Sequence, residues 1–269
     1  IVMAMWLNKG MGMENETLCL LLAILTGGVA AGLAGVIIGI PVLRLRGDYL
    51  AIVTLAFGEI IRNVINCLYI SLDGSKLHVA FNNPNVAGKL LINGPAGATG
   101  VSKIATFGMG FALVLFTLFV VLNLIDSRSG RAIMAIRDNR IAAEAMGLNV
   151  TKYKMMAFVT SAVLAGMAGA LYGLNFSTVA ASKFKFDTSI LVLVFVVLGG
   201  IGNIRGSIIS ATLLTILPEL LRAFANYRML IYAIVLILVM LATNNPTLRS
   251  MVERIIPQKR GNKKEADEA

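Results

Sequence analysis

Four charged side chains stand out in this sequence because they lie inside apolar stretches. Glu59 and Arg62 are spaced i, i+3, and Glu219 and Arg222 repeat that spacing near the other end of the chain. Residues three apart share a helix face, so each carboxylate can neutralise the guanidinium of its own pair. Two interpretations remain open: a structural pair near the membrane interface, where arginine snorkels, or a substrate or gating site inside a span.

The sequence offers few residues for catalysis or metal binding. Cys19 and Cys67 lie in apolar segments without metal-site or disulfide spacing, and His78 is the only histidine. A serine nucleophile needs a histidine base within reach, and the sequence has no GxxxxGK[ST] motif to cradle a nucleotide phosphate. We therefore predict no catalytic residue, no metal site and no cofactor, and a chain that is not an enzyme by itself.

The composition indicates a polytopic membrane protein. The 269 residues are 57% hydrophobic and only 14% charged. About 20 apolar residues cross a bilayer as a helix, so the uncharged runs predict an all-α fold: a polytopic transmembrane helical bundle with an internal repeat and broken helices. Four runs are long enough alone: Thr17 to Leu43, Ile104 to Ile125, Met155 to Ser182 and Met229 to Leu248. Three are shorter or carry charges: Tyr49 to Leu72, Thr188 to Ile204 and Gly206 to Pro218.

The charges orient this bundle. If a segment at about 127–154 is cytoplasmic, well over half of the 24 Lys and Arg residues fall on the same side, as the positive-inside rule expects. This accounts for the net charge of +10 without a nucleic-acid partner. We predict a transmembrane domain over 1–248 and a basic cytoplasmic tail over 249–269. The apolar opening "IVMAMW" predicts the end of a helix cut at a fragment boundary.

Two short patterns recur in the same order. "AGLAG" at 31–35 returns as "AGMAG" at 165–169, and "RGDYLAIVTLAFGEIIR" at 46–62 is echoed by "RGSIISATLLTILPELLR" at 205–222. Small residues at this spacing let helices approach closely in lipid. The charge-based topology runs the two Ala-Gly segments in opposite directions but both Arg-Gly segments in the same one. Either Thr188 to Gly200 does not simply cross, or the repeat contains an insertion.

Repeats with glycine-broken helices are typical of transporters. Unpaired backbone at membrane depth is tolerated only where it faces protein or a water-filled cavity. The glycine-rich break after Val197 is therefore a candidate pathway lining. Its residues are Gly199, Gly200, Gly202 and Asn203.

One charged segment interrupts the apolar runs. "GRAIMAIRDNRIAAEAMGLNV", at 130–150, has the period of a single amphipathic helix. It could lie in the interface, act as a solvated linker or dock into a soluble partner. Its alanine-rich apolar face is thin for membrane insertion and suits a protein groove better. The apolar face would hold Met134, Ile141, Ala145 and Leu148, and the other face Arg137, Arg140 and Glu144.

This segment, together with "LRLRGDYLAIVTLAFGEIIRN", "NGPAG" and "VLGGIGNIRGSIISATLLTILPELLR", resembles a known family. From about Gly27 to Leu241 the chain is similar to the LivM-type permease subunit of bacterial high-affinity branched-chain amino-acid ABC importers. The resemblance implies inward translocation of leucine, isoleucine and valine, driven by ATP hydrolysis on partner subunits. Sibling permeases for urea, short amides or other amino acids are an alternative. Outside the family, the alternatives are an ion-coupled secondary transporter using Glu59 or Glu219, or a structural scaffold.

The resemblance also implies partners and a location. They are a second, LivH-type permease, two cytoplasmic ATP-binding subunits, an external solute-binding protein that the loop at 73–88 would touch, and the lipid of the bacterial inner membrane. A cytoplasmic helix would couple the permease to the ATPase. Arg140 departs from the family pattern "RDNE", where a glutamate stands, and it can pair with Glu144. The implied coupling residues are Arg137, Asp138, Asn139, Arg140, Ala143, Glu144 and Gly147.

Overall fold

The computed structural model describes residues 1–10, 16–45, 48–73, 76–82, 89–99, 101, 103–176 and 178–221, together with 233, 234 and 237. They group into two compact units that divide between Phe186 and Asp187. The helices are α1 (Val2–Gly10), α2 (Glu16–Val42), α3 (Asp48–Asn66), α4 (Phe107–Asp126), α5 (Arg128–Asp138), α6 (Arg140–Ala145), α7 (Val150–Asn175), α8 (Phe186–Gly199) and α9 (Ile204–Leu220).

The fold confirms the predicted helical bundle of a polytopic membrane protein. Three helices, α2, α4 and α7, are long and apolar enough to cross a membrane by length and composition. They correspond to three of the four long apolar runs. The fourth run, Met229 to Leu248, lies outside the described residues apart from isolated positions, and so does the tail at 249–269.

Two predicted spans end earlier than their apolar runs. The run Tyr49 to Leu72 divides into α3, which ends at Asn66, and a strand that begins at Leu68. The run that was expected to reach Ser182 leaves the helix at Asn175, because Phe176 adopts an extended backbone. Hydropathy alone does not separate a helix from the apolar strand that continues it.

A small antiparallel sheet was not predicted; the segment at 73–88 was expected to be a loop. Its strand order is β2-β1-β3-β4-β5. Since β1 follows α3, β4 precedes α4 and β5 follows α7, the sheet gathers these three helix ends on one side. The chain between α4 and α7 must therefore lie on the other side. The strands are β1 (Leu68–Asp73), β2 (Lys76–Phe81), β3 (Lys89–Asn93), β4 (Gly97–Thr99) and β5 (Thr178–Val179).

The largest helix contact in the first unit joins α2 to α7. The helices are antiparallel, since Gly27 lies against Gly166 and Ala170 while Gly39 lies against Met155. A Cβ added to Gly27 would come within 3.0 Å of the Ala170 Cβ. The two Ala-Gly motifs therefore meet each other, in opposite directions through the membrane as predicted. The glycines that bring the backbones together on α2 are Gly27, Gly28, Gly32, Gly35 and Gly39.

The sheet side of this helix pair holds the main buried core. Leu20 of α2 and Leu174 of α7 are almost completely buried there with Leu91 of β3. Burial of these side chains fixes the sheet against the helices.

We predict opposite outcomes for two alanine substitutions in the same motif. Gly166→Ala places a Cβ 2.6 Å from the Gly27 carbonyl oxygen and closer still to the Ala31 Cβ. The helices must separate, so we expect a loss of about 1–3 kcal/mol of stability. Gly169→Ala meets nothing within 4 Å and improves helix propensity, so stability should be unchanged or slightly higher. The thermal unfolding midpoint of the detergent-solubilised protein measures both; equal midpoints would contradict the α2–α7 packing.

Candidate functional site

The segment between α4 and α7 begins with a tight turn. Ser127 caps α5 by accepting a hydrogen bond from the Gly130 N–H at 3.0 Å, and its own hydroxyl donates to the Leu124 carbonyl at 2.6 Å. A Cβ on Gly130 would lie 2.5 Å from the Ile125 carbonyl oxygen and would also clash with that of Leu124. Glycine at this position lets α5 pack directly on the last turn of α4, so the two helices are held as one rigid corner.

The predicted single amphipathic helix is in fact two helices. Asn139 interrupts it with an extended backbone, φ −150° and ψ 101°. Its side-chain oxygen accepts from the Ala142 N–H at 3.1 Å, while its own N–H donates to Ala135 at 3.0 Å. Asparagine side chains compete with the helix for backbone donors and favour the N-cap position. The physical reason for the break is therefore local, and Asn139 is the N-cap of α6.

The break also changes which face is buried. The buried side chains are Ile136, Ala143 and Val150, spaced seven residues apart, with Leu148 and Tyr153 packed against them. Ile141, expected to share one apolar face with Met134 and Leu148, is 80% exposed, whereas Leu148 packs on this cluster. The single continuous face was wrong because α5 ends before Asn139 and α6 ends before Gly147, so no helical phase continues from Met134 to Leu148. The seven-residue spacing was the signal in the sequence that could have found the buried face.

The end of α6 is fixed by a Schellman motif. Gly147 has φ +82° and donates to the Glu144 carbonyl, and Leu148 donates to the Ala143 carbonyl, both at 3.0 Å. Only glycine adopts this left-handed backbone at little cost, and the contact of Leu148 with Ala143 completes the motif. Asn149 then caps α7 by accepting from the Lys152 N–H at 3.1 Å.

The charged side chains of this segment pair locally. Arg140 donates to Glu144 at 2.9 Å, which confirms the predicted i, i+4 pair, and Arg137 donates to Asp138 at 3.0 Å. The Arg137 and Asp138 side chains are about two-thirds exposed, at 65% and 66%. Exposed pairs contribute little stability, so these charges remain available to a partner.

The exposed side of α6 lies opposite its buried residue. Ile141 and Ala145 each lie about 160° around the helix from Ala143, and Glu144 lies beside them with its ion-pair partner Arg140. We call Arg140, Ile141, Glu144 and Ala145 the α6 outer face. Met146, which the sequence reasoning passed over, is 83% exposed at the end of the same helix.

The first predicted charge pair, Glu59 with Arg62, forms within α3. The Arg62 Nε donates to Glu59 Oε2 at 2.9 Å, and a second guanidinium nitrogen contacts the same oxygen. Both side chains are partly exposed, 25% for Arg62 and 37% for Glu59. Glu219 lies in the last turn of α9, and Arg222, its predicted partner, lies outside the described residues.

The second unit contains the predicted helix break. Gly199 ends α8, Gly200 and Gly202 have φ of +89° and +88°, and Asn203 caps α9 by accepting from the Gly206 N–H at 3.3 Å. A Cβ on Gly206 would clash with the Gly199 carbonyl. At 14 residues, α8 is about 21 Å long, less than the roughly 30 Å hydrocarbon core of a bilayer.

Comparisons with known proteins agree with this architecture. Residues 1–240 match the family described as branched-chain amino acid transport system, permease component. LivM, the high-affinity branched-chain amino acid transport system permease protein of Salmonella typhimurium, is 35% identical over 248 residues, 80% of this chain. A probable LivM of Methanocaldococcus jannaschii is 28% identical over 75% of the chain and 56% of its own length. Escherichia coli LivH is 32% identical over 56% of the chain and 48% of its own length.

The chain spans 54% of the length of the Salmonella relative. No solved structure matches it. Together with three helices that can cross a membrane, the family match makes this a multi-pass membrane protein. The chain belongs to the family of branched-chain amino acid transport system permease components.

Proposed function

We propose that this chain is the membrane-spanning permease subunit of an ABC importer that moves leucine, isoleucine and valine into the cell. The observation that carries the proposal is the capped helix pair α5–α6, which is fixed at both ends and turns an exposed face away from the bundle. The LivM and LivH relatives, named as branched-chain amino acid permeases, support the substrate class.

The proposed assembly lies in the bacterial inner membrane and has four kinds of subunit. Similarity to LivH supports a second, homologous permease beside this one. Two cytoplasmic ATP-binding subunits would hydrolyse ATP, and an external solute-binding protein would deliver the amino acid on the sheet side. The described part of this chain itself needs no catalytic group, because hydrolysis belongs to the partners.

In this proposal the α6 outer face docks into a groove of the ATPase. Gly130 holds α5 against α4, and the cluster of Ile136, Ala143 and Val150 holds both short helices against α7. A force on α6 therefore reaches the ends of two spans at once. ATP binding would favour the docked arrangement, and this difference in affinity for two states supplies the shift in population.

The glycine-broken segment at 199–203 is proposed to line the pathway. An amino-acid zwitterion needs polar partners during transit, and a helix break at membrane depth supplies backbone groups that a continuous helix keeps for itself. Ile201 in this break is 82% exposed. We assign the Glu59–Arg62 pair a structural role, since the two charges neutralise each other within α3.

The first experiment is ATP-driven uptake of labelled leucine by the complete importer in proteoliposomes. Ile141→Asp puts a charge at the centre of the α6 outer face. We expect uptake to fall by at least about tenfold, as loss of an interface hot spot does. Lys152→Gln, an exposed change outside that face, is the matched control and should transport normally. Normal uptake by Ile141→Asp would refute coupling through α6. Leucine accumulation without ATP would favour an ion-driven mechanism.

A charge swap separates docking from simple helix stabilisation. Arg140→Glu or Glu144→Arg alone puts like charges at i, i+4, whereas the double variant restores a pair in the more favourable order. We expect the double variant to keep hydrogen-exchange protection at the Gly147 and Leu148 amides but to remain defective in ATP-driven uptake. Full recovery of uptake in the double variant would show that the pair acts only within the helix.

Thiol labelling tests the pathway assignment. In a background carrying Cys19→Ala and Cys67→Ser, Ile201→Cys should react with a membrane-impermeant reagent at rates that differ between nucleotide-free and ATP-bound complexes. The matched position is Leu214→Cys, since Leu214 is only 1% exposed and should stay protected in both states. If the thiol of Ile201→Cys fails to react with the reagent in both nucleotide states, this break does not line a pathway.

A further inference from the structure

A crevice between α4, α5 and α7 has no part in the coupling surface or in the helix break. Its volume is about 440 Å³, within the range of ligand pockets. The crevice runs along the last turns of α4 toward the start of α5. Residues of α5 therefore form its wall at the end nearest the segment between α4 and α7. Its principal lining residues are Val121 and Leu124 of α4, Ile133 and Met134 of α5, and Ala157 and Leu164 of α7.

The lining suits a hydrocarbon chain and not an amino acid. Among the described residues of its wall, only Thr160 and Ser161 have polar side chains. The Thr160 hydroxyl is hydrogen-bonded within its own helix, to the Met156 and Ala157 carbonyls at 3.0 Å each. A zwitterion placed here would lose its hydration without replacement. An unfilled apolar crevice beside lipid, in contrast, loses dispersion contacts that an acyl chain restores.

Three basic residues lie close in sequence to the lining residues at the segment end of the crevice. Arg131 donates to the Asp126 carbonyl at 3.2 Å, one residue beyond the lining residue Ile125. Lys154 lies one turn before Ala157 on the same side of α7, and Arg128 stands at the start of α5; all three cations are exposed. Asp126 is the one acidic residue of the turn from 126 to 131, against the two cations Arg128 and Arg131.

We propose that this crevice binds one anionic phospholipid, with an acyl chain between α4 and α7 and its phosphate at Arg131 and Lys154. Basic residues flanking a crevice between spans on the cytoplasmic side are a recognised arrangement for anionic head groups. The bound chain would pack on Ile133 and Met134 and so support the corner that carries α5 and α6. The site does not depend on which solute is transported.

Photo-crosslinking of the complete importer in vesicles tests the site without measuring transport. The probes are phosphatidylglycerol and phosphatidylcholine that carry the same photoreactive acyl chain. We expect phosphatidylglycerol to label α4 and α7 peptides several-fold more strongly, with a preference that falls as salt screens the charges. The double variant Arg131→Gln/Lys154→Gln should label equally with both probes, and Ala157→Leu should reduce labelling by both.

Lys152→Gln is the matched control, because Lys152 lies on the other side of α7 and should keep the preference. The proposal is overturned if wild type labels equally with the two probes at low salt, or if Lys152→Gln removes the preference as completely as the double variant. It is also overturned if Thr160→Cys crosslinks to another subunit, since a protein helix then fills the crevice. The salt dependence is measured on wild type, so the test stands even if a variant fails to assemble.

Discussion

Close contact between the α2 and α7 backbones is the interaction on which the first unit depends. Lipid tails are as apolar as leucine, so burial gives these helices no net drive to associate, and packing must supply it. Glycines along α2 and Gly166 on α7 remove the side chains that would hold the axes apart. The sheet then joins the ends of α3, α4 and α7 on one side of this unit.

The segment between α4 and α7 is rigid for a different reason: nearly every helix end in it is capped. Ser127, Asn139 and Asn149 each accept a backbone N–H, and Gly147 closes the Schellman motif. Capping satisfies donors and carbonyls that helix ends otherwise leave to water. A segment with satisfied ends and a small buried cluster can transmit displacement, whereas a solvated linker would absorb it.

The charges of the first unit fall into two groups. Within α3, Glu59 and Arg62 neutralise each other. In the segment between α4 and α7 the charges are mostly exposed and basic, an excess that the positive-inside rule associates with the cytoplasmic side and that supplies the cations proposed to hold the lipid phosphate. The same feature can therefore serve topology and lipid recognition.

The sequence by itself determined the membrane class, three long spans, the Arg140–Glu144 and Glu59–Arg62 pairs and the glycine break, because composition and short-range spacing decide all of them. Only the tertiary structure decided that the two Ala-Gly motifs face each other, that Thr178–Val179 pairs with β4, and that Ile136, Ala143 and Val150 form one cluster. The first two findings depend on contacts between residues distant in the chain. The third depends on the direction in which the helix restarts after its N-cap, Asn139. A single extended residue, Asn139, was enough to divide the expected single helix, so that Ile136 and Ala143 are buried together while Ile141 lies on the surface.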